Sequence, residues 1–255
     1  MTLPLKVWIA QEGRLLRLRL ARPKANLVDA EMIAALADGF AVHLSNTEIR
    51  AVLLDAEGPH FSFGASVEEH LPDECAQMLH GLHGLVRTMI DSPVPILVAV
   101  KGQCLGGGLE VAIAGHLMFV SHDAQLGQPE ITLGVFAPAA SCLLPERIGR
   151  VRAEDLLLSG RSISGAEAAD IGLANQAAED PEGAALSYFE THLAAKSGSS
   201  LRHAVRAARV GFVERVKANI DTVEKMYLED LMSTRDAVEG LEAFVSKRQA
   251  KWENC

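Results

Sequence analysis

Cysteine is scarce in this chain of 255 residues, and its spacing excludes the common cysteine-based sites. Only four cysteines occur, and no two of them form a Cys-x-x-Cys pair. Scattered thiols of this kind predict neither a disulfide framework nor a zinc centre, and they are typical of a reducing cytoplasm. His80 and His83 stand three residues apart, but no acidic or cysteine ligand lies at a metal-site spacing beside them. We therefore expect no bound metal.

Signatures of membrane, nucleotide-binding and serine-hydrolase proteins are also missing. No apolar run is long enough to cross a bilayer, and the charged N-terminal segment is unlike a signal peptide. GxGxxG, the P-loop pattern and GxSxG do not occur. The net charge of −9 argues against nucleic acid as the main partner. These absences predict a cytoplasmic protein that acts on a small molecule, without a membrane or nucleic-acid partner.

What the chain does have is a glycine-rich segment, residues 104–130, that follows the apolar run 96–100. Three consecutive glycines at positions 106 to 108 stand before the apolar residues of a predicted helix. The free N–H groups at such a helix start, together with the helix dipole, favour an oxyanion. Glu110 and Glu130 lie in the same segment and predict acid–base chemistry on a carbonyl compound. A glycine-rich helix cap with two surface glutamates is the alternative, and spacing alone favours it.

The alternation of apolar strands and helices predicts an α/β fold over residues 1–196. Ser66, with Glu69 three residues later, predicts a capping box rather than a nucleophile. A polar joint near residue 196 separates a C-terminal helical region, 197–255, in which apolar residues recur at steps of three and four. The other predicted elements are a hairpin over 7–20, helices beginning near 30 and over 79–90, a strand at 51–54, an apolar loop over 133–140, short helices at 152–158 and 165–171, one long helix over 201–231 and a last helix over 236–251.

Five segments, taken together, resemble the enoyl-CoA hydratase/isomerase (crotonase) superfamily along almost the whole chain. They are LARPKAN (20–26), FSFGAS (61–66), VKGQCLGGGLEVA (100–112), LGQPEITLGV (126–135) and EGLEAFVSKR (239–248). Their order and spacing are far more specific than a single glycine run. The resemblance implies a crotonase-like spiral of ββα units with a C-terminal helical oligomerisation region that builds a homotrimer or homohexamer. It also implies an acyl-CoA substrate and no separate cofactor.

The resemblance further implies a role for ten individual residues. They are Glu110 and Glu130 as the catalytic pair, Ala65 and Gly107 as the N–H donors of an oxyanion hole, Ser66, Val67 and Phe136 as substrate-binding residues, and Lys24, Phe244 and Lys247 as coenzyme A contacts, the last two offered to a neighbouring subunit. By the same analogy, Glu130 donates the proton and Glu110 activates water.

The two glutamates imply a hydratase that adds water to a conjugated enoyl- or dienoyl-CoA thioester. Ser66 stands where aspartate is common in the family, and residues 135–141 lack the usual glycines. These departures, and the sequence as a whole, resemble members that hydrate cyclic dienoyl-CoA thioesters in anaerobic aromatic (benzoyl-CoA) degradation. The alternatives are a straight-chain enoyl-CoA hydratase, an enoyl-CoA isomerase, a non-catalytic RNA-binding homologue and a purely structural oligomer.

Overall fold

Leucine- and valine-rich runs form the strands of a six-stranded sheet in the computed structural model, which describes residues 3–255. A second sheet has three short strands. The order of the large sheet is β1 (Leu5–Ala10), β2 (Leu15–Leu20), β3 (Ala51–Ala56), β4 (Ile96–Val100), β6 (Leu117–Val120) and β9 (Gln176–Ala177), and the small sheet contains β5 (Gln103–Leu105), β7 (Gln125–Gly127) and β8 (Ser162–Ser164). Only the pairs β1–β2 and β7–β8 are antiparallel.

The helices of the described residues are α1 (Ala30–His43), α2 (Cys75–Ile90), α3 (Gly107–Ala114), α4 (Pro138–Ser159), α5 (Gly165–Asp170), α6 (Pro181–Tyr188), α7 (Gly198–Ala208), α8 (Phe212–Lys225) and α9 (Arg235–Val245). The predicted hairpin and the predicted α/β class are confirmed. Asp29 caps α1, since its carboxylate accepts a hydrogen bond from the Met32 N–H at 3.0 Å.

The large sheet is covered on both faces, which is why its central strands read as continuous apolar runs. Every residue of β3 and β4 is buried. One face, with Val52 and Val98, packs in the main core with α1, α2 and α3. The other face, with Leu53 and Phe119, packs against α6 and the turn that follows it. The strand ends are therefore held rigidly on both sides.

The single helix predicted over residues 201–231 is wrong. The chain breaks between α7 and α8 because Gly211 adopts a φ of +75°, which an α-helix does not accommodate. The Arg209 guanidinium stabilises this break by donating to the carbonyls of Ile90 (3.3 Å) and Gly115 (2.9 Å). Beyond it, Val216 joins the main core of the same chain. The division into 1–196 and 197–255 stays a prediction.

Three other local predictions are also wrong. Ser66 forms no capping box: the Glu69 carboxylate instead accepts from the Ala30 N–H (3.2 Å) at the start of α1. The stretch 133–140 is not all loop, because Pro138 supplies the first turn of α4. The short helix expected at 152–158 is confirmed, because Gly149, with a φ of +74°, divides α4 into two helical segments. The last helix ends at Val245 rather than near residue 251.

Beyond α9 the chain folds back on itself. The Asp236 carboxylate accepts from the N–H groups of Glu253 (2.7 Å) and Asn254 (2.8 Å). The Trp252 ring lies over two glycines, Gly134 and Gly240, where an added Cβ would come within 3.0 and 2.9 Å of it. This C-terminal segment, residues 246–255, therefore covers the end of the turn Pro129–Leu133.

Candidate active site

Three chain segments run side by side and end at the same place. β5 and β7 pair in parallel, with Leu105 opposite Gly127, and Ser62 forms a parallel bridge to Cys104. The carboxyl ends of parallel strands meet at one edge of a sheet. The loop after Ser62, the glycines after β5 and the turn after β7 are thereby brought together, and these three segments carry the predicted donors and carboxylates.

At each glycine of the run 106–108, a neighbouring atom leaves no room for a side chain. A Cβ on Gly106, whose φ is +49°, would lie 2.5 Å from Glu130 Oε1. On Gly108 it would lie 2.5 Å from the Ser62 Cβ. On Gly107 it would lie 3.1 Å from the Ala65 backbone nitrogen. The glycines therefore allow both the Glu130 carboxyl and the Ala65 loop to approach the start of α3.

The backbone N–H groups of Ala65 and Gly107 are neighbours at that helix start. Within residues 3–255, neither donates a hydrogen bond to an oxygen. The dipole of α3 adds partial positive charge at the same point. Two free donors beside a helix N-terminus form a site that can bind a developing oxyanion.

Glu110 and Glu130 form a pair of carboxyls beside these donors, with Glu110 buried and Glu130 half-buried. Glu110 is 3% exposed on the first turn of α3, and its Oε1 accepts from the Ala140 N–H at 2.8 Å. Burial raises the pKa of Glu110. Burial and then the charge of Glu110 raise the pKa of Glu130. The N–H groups of Ala140 and Ala139 stabilise the Glu110 anion, and the charge of Glu110 disfavours ionisation of Glu130, so we assign the proton that the pair retains near neutral pH to Glu130.

Gln128 is a site residue that the sequence analysis missed. Its side chain is 1% exposed, and with its amide nitrogen turned toward Glu130 it donates to Oε1 at 3.2 Å and to Oε2 at 3.1 Å. An amide in this place orients the carboxyl group. The sequence signal that could have identified Gln128 was its position in a turn, two residues before a candidate catalytic glutamate.

The predicted substrate-binding residues lie around the same site. Val67 and Phe136 belong to an apolar cluster with Tyr227, and the rings of Phe136 and Tyr227 have their centroids 5.2 Å apart. Ser66 is buried, and its carbonyl accepts a hydrogen bond from His70 Nδ1 at 2.7 Å. That bond holds the loop that carries the Ala65 N–H.

The three predicted coenzyme A contacts are at the surface of the chain. Lys24 is exposed in a turn with a φ of +104°, and Lys247 is exposed just after α9 with a φ of +52°. Phe244 is 55% exposed. Among residues 3–255 no hydrogen bond or ion pair connects these side chains with the carboxyl pair. Their role in coenzyme A binding stays a prediction.

Residues 3–255 contain neither a metal-ligand cluster nor a helix that could span a membrane. No three His, Cys, Asp or Glu side chains come together as metal ligands there. His80 and His83 instead share one partner, because both contact the Glu224 carboxylate. None of the helices has the length and apolar character needed to span a bilayer.

The raised pKa values of the carboxyl pair predict the pH dependence of activity. If one carboxyl must be ionised and the other protonated, the rate falls below the lower and above the higher apparent pKa of the pair. Because burial raises the pKa of both carboxyls, and the charge of Glu110 raises that of Glu130 further, both limbs should lie well above the pKa of a free glutamate. A pH–rate profile checks this. An acid limb near pH 4 would contradict it.

The sequence is similar to those of proteins in one known family. The sequence profile of the enoyl-CoA hydratase/isomerase family matches residues 10–255. A cyclohexa-1,5-dienecarbonyl-CoA hydratase of Thauera aromatica is 68% identical over 251 residues, covering 98% of this chain and 97% of that protein. Mouse enoyl-CoA hydratase domain-containing protein 2 is 31% identical and covers 91% of this chain and 81% of its own length.

Solved structures give the same result for the fold. An enoyl-CoA hydratase/isomerase from Pseudoalteromonas atlantica superposes with a TM-score of 0.84 at 28% identity, covering 98% of this chain and 99% of that one. An enoyl-CoA hydratase from Mycobacterium avium subsp. paratuberculosis gives a TM-score of 0.86 at 22% identity, with the same coverage. The crotonase-like fold expected from the sequence is thus confirmed. The chain belongs to the enoyl-CoA hydratase/isomerase family.

Proposed function

We propose that this protein hydrates a cyclic conjugated dienoyl-CoA thioester, cyclohexa-1,5-diene-1-carbonyl-CoA, to 6-hydroxycyclohex-1-ene-1-carbonyl-CoA. The observation that carries the proposal is the carboxyl pair, Glu110 and Glu130, with raised pKa values, beside the two free N–H groups of Ala65 and Gly107. The 68% identity to the Thauera aromatica hydratase supports the choice of acyl group.

The reaction begins with polarisation of the thioester. The carbonyl oxygen accepts hydrogen bonds from the Ala65 and Gly107 N–H groups, which withdraws electrons from the conjugated system and makes the β-carbon electrophilic. The same two donors stabilise the enolate that forms when oxygen adds. A single donor in such a site is worth about 3–4 kcal/mol in the transition state.

Each of the two glutamates then carries out one proton transfer. Ionised Glu110 takes a proton from water as the water oxygen bonds to C2 of the ring. Protonated Glu130 gives its proton to carbon, so that one water molecule is added overall and the pair ends with the proton on Glu110. Transfer of that proton to solvent and reprotonation of Glu130 complete the cycle. The hydrogen bond from Ala140 to Glu110 supports this division of roles.

Conjugation in the ring determines which carbon receives the proton. Addition at C2 leaves a dienolate that extends over C1, C6 and C5. Protonation at C5 keeps a double bond conjugated with the thioester, whereas protonation at C1 loses it, so conjugation favours the 1,4-addition product. The apolar surface around Phe136 holds the flat ring, and Glu130 faces the distal carbon.

Hydration in deuterated water, followed by NMR of the product, tests the proposed function. We expect deuterium at C3 of 6-hydroxycyclohex-1-ene-1-carbonyl-CoA, which is the former C5. Deuterium at the carbon that bears the carbonyl would indicate ordinary 1,2-hydration and would remove the reason for a dedicated ring site. A double-bond shift without oxygen uptake from ¹⁸O-labelled water would indicate an isomerase. Faster turnover of linear enoyl thioesters would indicate a straight-chain hydratase.

We extend the proposal to the assembly and location of the protein. A homotrimer or homohexamer would place Phe244 and Lys247 of one subunit beside the coenzyme A of a neighbour, which accounts for their exposure at the C-terminal end of α9. A cytoplasmic location suits buried thiols such as Cys104. The substrate supplies coenzyme A, and the proposed chemistry uses no separate cofactor.

A further inference from the structure

Tyr227 has a buried hydroxyl group that the mechanism above does not use. Its side chain is 0% exposed. Among residues 3–255 the phenol oxygen has no hydrogen-bond partner. Buried polar groups almost always have a partner, because an unmade hydrogen bond inside a protein is costly. An unpaired hydroxyl group therefore points to a ligand.

The backbone at Tyr227 is unusual in the same place. The residues Met226–Asp230 form a π-helical turn between α8 and the short 3-10 turn Leu231–Ser233. Such turns insert an extra residue and change the direction of a side chain, and they occur often at functional sites. Here the turn brings the Tyr227 side chain into the apolar cluster.

That cluster joins Tyr227 to the candidate active site. It includes Val67 and Val135 together with Phe136, whose ring meets the Tyr227 ring edge to face. Burial raises the pKa of the phenol, and the charges of Cys75, Glu130 and Glu110 raise it further. The hydroxyl group therefore stays protonated and can act as a donor.

We propose that the Tyr227 hydroxyl donates a hydrogen bond to the oxygen that the reaction adds, while the Tyr227 and Phe136 rings hold the flat ring of the acyl group. This inference rests on the proposed function. The thioester oxygen is held by the Ala65 and Gly107 N–H groups, so the only other polar atom on the acyl ring is the added oxygen. The side chains that join Tyr227 in this cluster are nearly all apolar. Tyr227 thus distinguishes the hydroxylated product ring from the diene ring of the substrate.

Binding of two matched ligands tests this inference. The ligands are 6-hydroxycyclohex-1-ene-1-carbonyl-CoA and cyclohex-1-ene-1-carbonyl-CoA, which lacks the hydroxyl group. Dissociation constants are measured by calorimetry in a Glu110→Gln background, which slows turnover. Tyr227→Phe should weaken binding of the hydroxylated ligand about 3- to 10-fold, the usual weight of one hydrogen bond. Binding of the ligand without the hydroxyl group should stay within about twofold, since the ring is kept.

The control is Tyr188→Phe, because Tyr188 is the other tyrosine of the chain and packs on Phe119 at the opposite face of the sheet. It should leave both dissociation constants unchanged. Equal weakening of both ligands by Tyr227→Phe would indicate a purely structural role, and unchanged binding of both would indicate an idle hydroxyl group; either result overturns the inference. Failure of the proposed function appears separately, as wild-type protein that does not hydrate the cyclic diene.

Discussion

Glu130→Gln is expected to lower the rate of hydration about 10²–10⁴-fold, the usual contribution of a positioned acid or base. Glutamine keeps the size of the side chain and its contact with Gln128, but it has no proton of suitable acidity to give to carbon. Because Glu130 retains the proton of the pair near neutral pH, a neutral amide leaves the charge of the site unchanged. The stability of the variant should therefore stay close to that of the wild type. Turnover and thermal melting measured on the same sample check both statements.

Glu110→Gln should lower the rate of hydration by a similar factor, for a different reason. An amide cannot take a proton from water, although its oxygen can still accept from the Ala140 N–H. Glu154→Gln is the matched control, because Glu154 is exposed on α4. The control should retain full activity. A folded Glu110 or Glu130 variant with turnover near that of the wild type would refute the two-carboxyl mechanism.

Gly106→Ala is the second substitution with a large expected effect. It places a Cβ 2.5 Å from Glu130 Oε1 on a residue whose φ is +49°, so either the carboxyl or the backbone must move. A displacement of about 1 Å in an active site can cost about 10²-fold in rate. We expect kcat to fall by about that factor or more, with a smaller change in KM.

The chain offers a matched control for this glycine substitution. Gly84 lies on α2, and an added Cβ there would meet nothing within 4 Å. Gly84→Ala should therefore leave the rate unchanged and stabilise the protein by about 1 kcal/mol through the higher helix propensity of alanine. Gly106→Ala with wild-type kcat would show that the Glu130 carboxyl does not need its present position.

Much of the fold could be predicted from the sequence because the local signals agree with the tertiary structure. The Asp29 cap and the apolar runs of β3 and β4 need no knowledge of distant contacts. The parallel pairing of β5 and β7 depends on distant contacts, and no local signal predicts it. The family resemblance nevertheless brought Glu110 and Glu130 into one site before any geometry was known.

The errors arose where a distant contact outweighs a local pattern. Apolar periodicity continues through residues 201–231, but the positive φ of Gly211 and the bonds of Arg209 to carbonyls in other segments interrupt the helix. Ser66 and Glu69 have the spacing of a capping box, yet Glu69 caps α1 instead. Nothing in the sequence indicated a functional role for Tyr227, because a tyrosine within an apolar helical stripe is expected to be a core residue.

The C-terminal segment, residues 246–255, has a consequence for how the enzyme loses activity. Trp252 packs over Gly134, at the end of the turn that carries Glu130, but the residues of this segment contribute little to the buried core. Segments of that kind open locally at a lower free energy than a sheet covered on both faces. Warming or mild denaturant would therefore release the turn that carries Glu130 while the strands remain folded. Heat inactivation and protease sensitivity of this protein would then be governed by its last ten residues.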